Sequence, residues 1–361
     1  MGRLFNMLRA ISELKLSLKF GKIRKEINAV LNEPSLYADM PRKSYKQRKK
    51  ENILWYLKNG EANIYYNSYG FDIVGFRNQS DYMPYRKFRM ERNNEDFNVS
   101  VSRIYRNRVC ILRDKTLFSA FISKVLGKKY VPEDIGLIYP DGRIYDYNKN
   151  ENTDFKTICD SYSGDLFIKK LDGECGDGCY LIKENDLSYF ESIKEKMKGS
   201  SYLIQKRVMQ HEDVNKINPS CINTIRIITI ISKSKKKPQI FAKYMRVGMN
   251  AINDNRATGG VGVYIDDDGK MGKTGVGHHV VIAQHPFTSL VFEDYQIPFW
   301  KEANELVLSA HSFLPDIPTI GWDVAITPDG PILIEGNDNW EISGAQDTAG
   351  GLKKKWYELH K

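Results

Sequence analysis

Short runs of mostly β-branched residues recur along the chain, and they are bounded by Gly, Pro or Asp, as strands commonly are. These runs predict strands over residues 165–169, 180–182, 202–205, 224–231, 239–247, 262–265, 322–326 and 332–335. Few helical patterns interrupt them. Because a doubly wound parallel sheet would need a helix between successive strands, the order favours an α+β fold.

Three segments show the three- or four-residue apolar spacing of an amphipathic helix. Residues 114–126 predict one that ends at Gly127, and residues 298–313 predict a longer one. Residues 3–20 form the third, although apolar residues in 14–20 also alternate as in a strand. The sequence therefore leaves both a helix and a strand open for residues 3–20.

Length and composition limit the class of protein. A chain of 361 residues with 41% hydrophobic and 27% charged residues is typical of two globular domains, or of one large domain with a lid. No apolar run approaches the roughly 18 residues of a membrane span, and cations interrupt the first twenty residues. The five scattered cysteines suit reduced thiols, so we expect a cytoplasmic protein.

The basic charge is concentrated at the N-terminus. Residues 1–60 hold 14 Lys and Arg against 5 Asp and Glu, which leaves 40 against 40 for the remainder. The cationic stretch 42–50 could meet anionic lipid headgroups or form a solvated helix face. It lacks the interleaved aromatic residues of a nucleic-acid site, so no nucleic-acid partner is expected.

A lysine and three glycines mark the first candidate site. Lys169 ends a predicted strand, and Gly173, Gly176 and Gly178 follow in a loop before the next strand. Glycines let backbone N–H groups approach an anion, and lysine supplies the charge that phosphate attracts. No Gly-Lys-Ser/Thr follows, so this is not a Walker P-loop, and a glycine-rich hairpin turn explains the same pattern.

Acidic and amide residues near the C-terminus mark the second. Asp323 lies on one predicted strand, and Glu335 and Asn337 share a face of the next because strand side chains alternate. If the two strands pair, the three side chains converge as oxygen ligands. Magnesium takes such ligands when it also binds nucleotide phosphates, whereas a hairpin with a polar rim is the alternative.

Together, the two sites resemble those of the ATP-grasp superfamily, with the resemblance extending over residues 110–346. Further motifs occur in the family's order and make the chain similar to the sugar-transfer-associated ATP-grasp proteins, relatives of α-L-glutamate ligase-like enzymes of polysaccharide biosynthesis. The motifs are Gln210-His211, Asn218-Pro219-Ser220, Asn223-Thr224-Ile225-Arg226, Arg246-Val247-Gly248, Asn255 with Gly259-Gly260, His285-Pro286-Phe287-Thr288, Gly321-Trp322-Asp323 and Glu335-Gly336-Asn337.

The resemblance implies an ATP-grasp fold, in which two α+β lobes grip ATP between antiparallel sheets, behind a basic, largely helical N-terminal extension. We expect the extension over residues 1–60 and a family-specific segment over 61–110. The small lobe with its glycine-rich lid would follow over 111–208. The large lobe, with the magnesium and acceptor sites, would occupy 209–361.

The resemblance also implies a nucleotide site. Two lysines would hold the α and β phosphates, a hinge would hold adenine, and Asp323, Glu335 and Asn337 would hold one or two Mg²⁺ ions on ATP. Two residues depart from the family pattern, since Lys170 stands where Pro is usual and Gln205 where Glu is commoner. The expected nucleotide-binding residues are Lys115, Lys169, Gly176, Gly178, Gln205, Lys206, Arg207 and Val208.

Arg226 and Arg246 are the candidate catalytic residues, because a planar guanidinium matches both a carboxylate and a phosphoryl group. Ion pairs on a strand are the alternative for both, and a structural hydrogen bond is the alternative for His285. The expected substrate-binding residues are Asn223, Asn255, Gly259, Gly260, His285 and Gln346.

The implied reaction is ATP-dependent carboxylate–amine ligation through an acyl phosphate, with ADP released. The expected substrates are an amine or amino acid and a saccharide carboxylate of capsule or related glycan synthesis. An ATP-dependent phosphotransferase acting on a saccharide or small metabolite is the alternative, and a nucleotide-binding assembly factor is a third class. Residues 1–58 would contact the inner membrane surface or a glycosyltransferase, and the resemblance allows a homodimer.

Overall fold

Two antiparallel sheets dominate the computed structural model, which describes residues 11–12, 21–92, 109–173, 178–184, 186–232, 234–249, 251 and 253–360. The helices are α1 Lys22–Asn32, α2 Tyr45–Asn59, α3 Val109–Arg113, α4 Lys115–Val125, α5 Phe155–Ser161, α6 Leu187–Met197, α7 Glu212–Ile217, α8 Trp300–Ser312, α9 Ile342–Ala349 and α10 Lys353–Leu359, with a further helical turn region over 85–92. The strands are β1 Asp134–Ile138, β2 Ile144–Asp146, β3 Glu151–Thr153, β4 Leu166–Lys170, β5 Cys179–Ile182, β6 Tyr202–Lys206, β7 Ile225–Ile231, β8 Pro238–Val247, β9 Val261–Ile265, β10 Met271–Val276, β11 Val281–Ile282, β12 Thr319–Thr327 and β13 Gly330–Asn337.

The α+β prediction is confirmed, and all eight predicted strands and the two predicted internal helices are present. The candidate helix over 3–20 lies outside the described residues except at positions 11 and 12. Within the described residues, none of the helices combines the length and apolar composition that crossing a bilayer requires.

The smaller sheet has the order β3-β2-β1-β6-β4-β5. Its buried residues, such as Ile168 and Ile204, pack against α5 and α6, whose Phe155 and Phe190 rings stack 3.7 Å apart. Asp154 begins α5 by accepting a hydrogen bond from the Thr157 N–H. This lobe supplies β4, the strand that ends in the candidate phosphate-binding lysine.

The larger sheet has the order β11-β10-β9-β8-β7-β12-β13. Along β7, Ile225 and Ile227 join a core cluster with Trp300 and Val307 of α8. Because side chains alternate along a strand, Arg226 projects from the opposite face. One face of the sheet thus packs against α8, and the other carries Arg226 next to a second hydrophobic cluster that includes Ile228 and Ile230.

Helices α3 and α4 pack on the larger sheet, although the predicted boundary at residue 111 assigns them to the small lobe. Leu112 and Phe118 belong to the core cluster of the larger sheet. Gly336 of β13 makes room for them, since a Cβ there would lie 2.9 Å from Leu112 Cδ2. The stretch that carries Lys115 therefore rests on the strand that carries Glu335.

The N-terminal segment 61–92 is also part of the large lobe. Met83 and Phe88 share a buried cluster with Phe241 of β8, Trp340 and Trp356. Residues 83–88 of this segment therefore help to close a second hydrophobic core. The outer domain boundaries stay predictions.

Candidate functional site

A row of polar side chains crosses the larger sheet. Asp323 of β12 lies directly opposite Glu335 of β13 on one side and Arg226 of β7 on the other, and Arg226 lies opposite Tyr244 of β8. Side chains paired across strands in this way share one face at contact distance. Strand pairing alone therefore brings together residues that are about a hundred positions apart in sequence.

Two guanidinium groups hold Asp323. Arg226 donates from Nε to Oδ1 (2.5 Å) and from Nη2 to Oδ2 (2.9 Å), and Arg246 donates from Nη1 to Oδ2 (2.6 Å). Burial opposes ionisation, but the two positive charges outweigh it and hold the pKa of the Asp323 carboxyl well below its usual range. Asp323 is therefore a permanent anion.

Glu335 and Asn337 complete the predicted metal-ligand set. Asn337 Nδ2 donates to Glu335 Oε1 (3.2 Å), and both side chains are partly exposed. Burial and the neighbouring Asp323 carboxylate raise the pKa of Glu335. A cation placed between the two carboxylates would lower that pKa again, because it favours the ionised form.

The donor set fits a magnesium ion. The three hydrogen bonds to Asp323 leave one acceptor position on Oδ1, since each carboxylate oxygen accepts about two. Magnesium is commonly bound by one or two carboxylates together with substrate phosphates, and needs no larger protein cage. Among the described residues, no group of three His, Cys, Asp or Glu is placed to hold a metal ion, so the fit depends on the two carboxylates and Asn337 together with a ligand's phosphates.

Two lysines lie beside this row, Lys169 on β4 of the small lobe and Lys115 at the start of α4. Lys169 on β4 is only 6% exposed, and burial lowers its pKa while the charge of Glu335 opposes that shift. Lys115 Nζ donates to the carbonyls of Leu171 (3.0 Å) and Gly173 (2.8 Å), at the start of the glycine loop. The site therefore lies between the two sheets, where a polyphosphate could meet both lysines.

The glycine loop is described only at its ends. Gly176 lies outside the described residues. Gly178 has a φ of +67°, and a Cβ there would lie 2.8 Å from the Cβ of Lys170. A glycine is therefore required at position 178 for the β4–β5 hairpin to close, whatever else the loop does.

The predicted hinge follows β6, and its polar groups are largely used inside the protein. Gln205 Nε2 donates to Asp134 Oδ1 (2.5 Å), and the Lys206 N–H donates to the Glu133 carbonyl (2.9 Å). Arg207 binds Asp165 through both its N–H (3.0 Å) and its guanidinium (2.6 Å). In the described part of the chain, the Val208 N–H donates to no backbone acceptor, and its predicted contact with a nucleotide stays a prediction.

Asn223 and His285 belong to a buried network and do not face an open pocket. Asn223 Oδ1 accepts from the Gly248 N–H (3.0 Å), and its Nδ2 donates to the Asn218 carbonyl (2.7 Å). His285 uses Nε2 toward the Gly248 carbonyl (3.1 Å) and Nδ1 toward the Thr288 N–H (3.2 Å). Both side chains thus make structural hydrogen bonds that anchor the chain just after Arg246, and the expected substrate contact stays a prediction.

Gln346 likewise joins two parts of the fold. It is fully buried; its Oε1 accepts from the Met83 N–H (2.7 Å) and its Nε2 donates to Tyr69 Oη (3.2 Å). These bonds satisfy the amide within the protein, so the structure places Gln346 in the seam between α9 and the N-terminal segment.

Asn255, Gly259 and Gly260 form a tight loop before β9. The Gly260 N–H donates to the Asn255 carbonyl (2.9 Å), and a Cβ at Gly260 would lie 2.4 Å from the Asp254 carbonyl oxygen. Gly259 has a φ of +97°. Both glycines are required by the shape of the loop.

A family model for sugar-transfer associated ATP-grasp proteins matches residues 94–356. The chain belongs to this family. The match begins beyond the segment 21–92, so that part of the structure is additional to the family region. No curated protein matches the chain.

Solved structures of similar shape include three enzymes or enzyme domains. The D-alanine–D-alanine ligase of Bacillus anthracis is 15% identical, with a TM-score of 0.38 over 69% of this chain and 67% of that one. A RimK domain ATP-grasp protein of Sphaerobacter thermophilus is 12% identical, with a TM-score of 0.38 over 68% and 67%. The N5-carboxyaminoimidazole ribonucleotide synthetase of Thermotoga maritima is 15% identical, with a TM-score of 0.35 over 64% and 42%. A second synthetase of that name is covered over 47% of its length, so the chain spans less than half of either synthetase.

The structure pairs charged residues, next to the motif positions, that the sequence did not single out. Asp254 binds Arg246 (2.9 Å), and Arg256 donates to Asp347 Oδ2 (2.6 Å) from the loop to α9. Arg256 directly follows the predicted Asn255, and Asp347 directly follows Gln346. In the sequence, the one sign of these residues is that they are charged and lie directly beside motif positions. Their burial, which the sequence does not show, distinguishes them from surface residues.

Proposed function

We propose that the protein is an ATP-dependent carboxylate–amine ligase that joins an amine or amino acid to a sugar carboxylate in polysaccharide synthesis. The observation that carries this proposal is the row Glu335–Asp323–Arg226 facing Lys169 across the two sheets. It combines a carboxylate pair suited to a divalent cation with lysine and arginine groups suited to phosphate. Family membership supports the same chemistry.

The charges of the site suit a reaction between anions. Two arginines and two lysines stand against Asp323, Glu335 and Asp254 in the described structure. When bound by Asp323, Glu335 and Asn337, magnesium would neutralise charge on the β and γ phosphates. Lys169 and Lys115 would bind the nucleotide phosphates, and the arginines would orient the acceptor carboxylate.

The proposed reaction has two steps. An oxygen of the acceptor carboxylate attacks the γ-phosphorus of ATP, the bond to the β-phosphate oxygen breaks, and ADP leaves. The amine then attacks the acyl carbon, loses a proton, and expels inorganic phosphate. In this proposal the chain's residues hold the reactants in line and stabilise charge, as phosphoryl transfer requires.

The test is ADP and phosphate release by the purified protein with Mg²⁺ and ATP, against a panel of uronic acids and amino acids. We expect release that depends on both substrates and is lost in Glu335→Ala. Glu302→Ala, on the exposed face of α8, is the matched control and should retain activity. Phosphorylated acceptor without amine consumption would indicate the phosphotransferase instead. Turnover by Glu335→Ala at the wild-type rate would overturn the proposed site.

We also propose that α2 contacts an anionic membrane surface on the cytoplasmic side. Arg48 of the cationic stretch is buried and donates to the Leu31 carbonyl (2.9 Å), so it serves the fold. Lys46, Lys49 and Lys50 are exposed and have no ion pair among the described residues. Three free lysines on one helix support lipid contact, at about 1 kcal/mol each near the surface.

Vesicle flotation tests the membrane contact. Deletion of residues 1–58 would remove the buried residues of α1 and α2, so the triple substitution of Lys46, Lys49 and Lys50 by Glu is the better variant. We expect at least about a hundredfold weaker binding to equimolar phosphatidylcholine–phosphatidylglycerol vesicles. The same change at Lys194 and Lys196 of α6 and at Lys198, which follows its last residue, is the control. Equal flotation of both variants would contradict the membrane contact. Light scattering would separately test the expected homodimer.

A further inference from the structure

A second buried carboxylate lies behind the magnesium-site arginines. Asp254, in the chain between β8 and β9, is 6% exposed, and its Oδ1 lies 2.9 Å from Arg246 Nη2. Arg246 uses its other terminal nitrogen, Nη1, to donate to Asp323 Oδ2 (2.6 Å). One guanidinium therefore bridges a carboxylate inside the proposed metal set and a carboxylate outside it.

Thr224 fixes this bridge at both ends. Asp254 Oδ2 accepts from the Thr224 N–H (2.8 Å) and from Thr224 Oγ1 (2.5 Å). The Arg246 N–H in turn donates to the Thr224 carbonyl (2.8 Å). The position of the Asp254 carboxylate is therefore set by the same residue that sets the backbone of Arg246. The loop that carries Asp254 can fold this tightly because Gly260 has no side chain. A Cβ at Gly260 would lie 2.4 Å from the Asp254 carbonyl oxygen.

The charges of this cluster balance. Arg226 and Arg246 carry two positive charges, and Asp323 and Asp254 carry two negative ones. With the cluster neutral, Glu335 adds the net negative charge that a divalent cation needs. Without Asp254, the cluster would carry a surplus positive charge next to the metal ligands, and Arg246 would lose the partner that turns its Nη2 away from Asp323.

We propose that Asp254 is a positioning residue that neutralises and orients Arg246, and thereby sets the Mg²⁺ affinity of the site. This inference rests on the proposed function in one respect, because it takes Asp323 and Glu335 as the metal ligands. It predicts a signature that loss of folding would not produce. Removal of the Asp254 charge should weaken the binding of the cation without weakening that of the anionic nucleotide.

The test is Asp254→Asn, which keeps the shape and removes the charge. Binding of a fluorescent ATP analogue is measured in EDTA and in a Mg²⁺ titration, without any acceptor. We expect the half-saturating Mg²⁺ concentration to rise on the order of a hundredfold, the effect of one unit charge on a divalent cation at about 10 Å with an effective dielectric constant near 20. Metal-free nucleotide should bind as tightly as to the wild type or more tightly.

Two further variants make the result decisive. Asp268→Asn, in the exposed β9–β10 turn, removes the same charge at a distance and should leave both titrations unchanged. Thr224→Val removes one donor to Asp254 and keeps its charge, so it should shift the Mg²⁺ titration in the same direction by less. If the Asn variant does not fold, the Thr224 variant decides the question.

The outcomes separate this inference from the proposed function. Parallel loss of metal-dependent and metal-free nucleotide binding in Asp254→Asn, or an unchanged Mg²⁺ titration, would overturn the positioning role. A wild type that binds Mg²⁺ and the nucleotide analogue but ligates nothing would overturn the ligase and leave the Asp254 result standing. A wild type that binds no nucleotide would overturn both.

Discussion

Lys169 places an ammonium group in the interior at the end of β4, where its Nζ has no hydrogen-bond or ion-pair partner among the described residues. Burial of an unpaired charge destabilises the folded state, and it is this cost that lowers the pKa of the group. A residue kept at such a cost is typical of a binding site, because a ligand anion restores the missing partner. Lys169 thus links stability to nucleotide binding.

Replacement of Lys169 by Met should therefore have opposite effects on stability and function. We expect the free energy of unfolding without nucleotide to rise by about 1–3 kcal/mol, because the desolvation cost of a buried ammonium group is removed. Binding of the ATP analogue should fall about a hundredfold, the loss of a charged hydrogen bond to phosphate. Urea denaturation and fluorescence titration measure the two effects.

Lys170→Met is the matched control on the same strand. Lys170 is partly exposed and lies 3.6 Å from Asp172, so its loss should change both quantities little. Destabilisation by Lys169→Met, or nucleotide binding equal to that of the control, would contradict this role for Lys169.

At the scale of the element, α8 is joined to the larger sheet by a buried polar chain. Trp322 Nε1 donates to Thr229 Oγ1 (2.8 Å), the Thr229 hydroxyl donates to His311 Nδ1 (2.6 Å), and His311 Nε2 donates to the Ile317 carbonyl (2.8 Å). A neutral imidazole satisfies each of these donors and acceptors. Burial lowers the pKa of His311 to about 4.

This histidine makes the stability of the protein depend on pH. The unfolded chain binds a proton near pH 6.5 and the folded chain near pH 4, so the unfolded state holds more protons between these values. The contribution of His311 to the free energy of unfolding is therefore fully present above pH 6.5 and is lost as the pH falls toward 4. Its full size is about 3 kcal/mol.

We expect urea denaturation to show about 2 kcal/mol less stability from His311 at pH 5 than at pH 7.5. In His311→Gln this part of the pH dependence should be absent, whatever the variant's overall stability. An identical difference between the two pH values in variant and wild type would show that His311 does not titrate on unfolding.

Elements differed in how well their patterns predicted them. The long β-branched runs of β7, β8 and β12 were predicted, since buried strands read as apolar runs. Strands β2 and β3 were missed because each has three residues and β3 is polar, so they exist through pairing with their neighbours. Helices α5 and α6 were also missed; their short apolar faces become significant only against the sheet that they cover.

At the scale of the whole molecule, the segment before the family region completes the large lobe. The centre of the Phe88 ring lies 5.0 Å from the ring centre of Trp340, which follows β13, and 5.2 Å from that of Trp356 in α10. Arg92 is buried and donates to the Trp340 carbonyl. The chain that follows Asn337 is thereby held against residues 83–92.

Phe88→Ala should lower the free energy of unfolding by about 3–5 kcal/mol, because it opens a cavity between two tryptophans. Met90→Ala lies in the same helical region but removes a side chain that is 57% exposed, so it should cost less than about 0.5 kcal/mol. Chemical denaturation of both variants measures the difference. A small effect at Phe88 would mean that residues 83–92 do not share the core of the large lobe.

The sequence by itself determined eight of the thirteen strands in the described residues, the α+β class, and the motif residues Asp323, Glu335 and Asn337. These are local properties, since side-chain periodicity and two-residue spacing follow from the geometry of a single strand. Only the tertiary structure decided which groups meet. Strand register pairs Arg226 with Asp323, 97 residues away, and loop closure brings Asp254 to Arg246. The tertiary structure also buried Asn223, His285 and Gln346. Burial and the choice of hydrogen-bond partners depend on the packing of the whole chain, which no local pattern encodes.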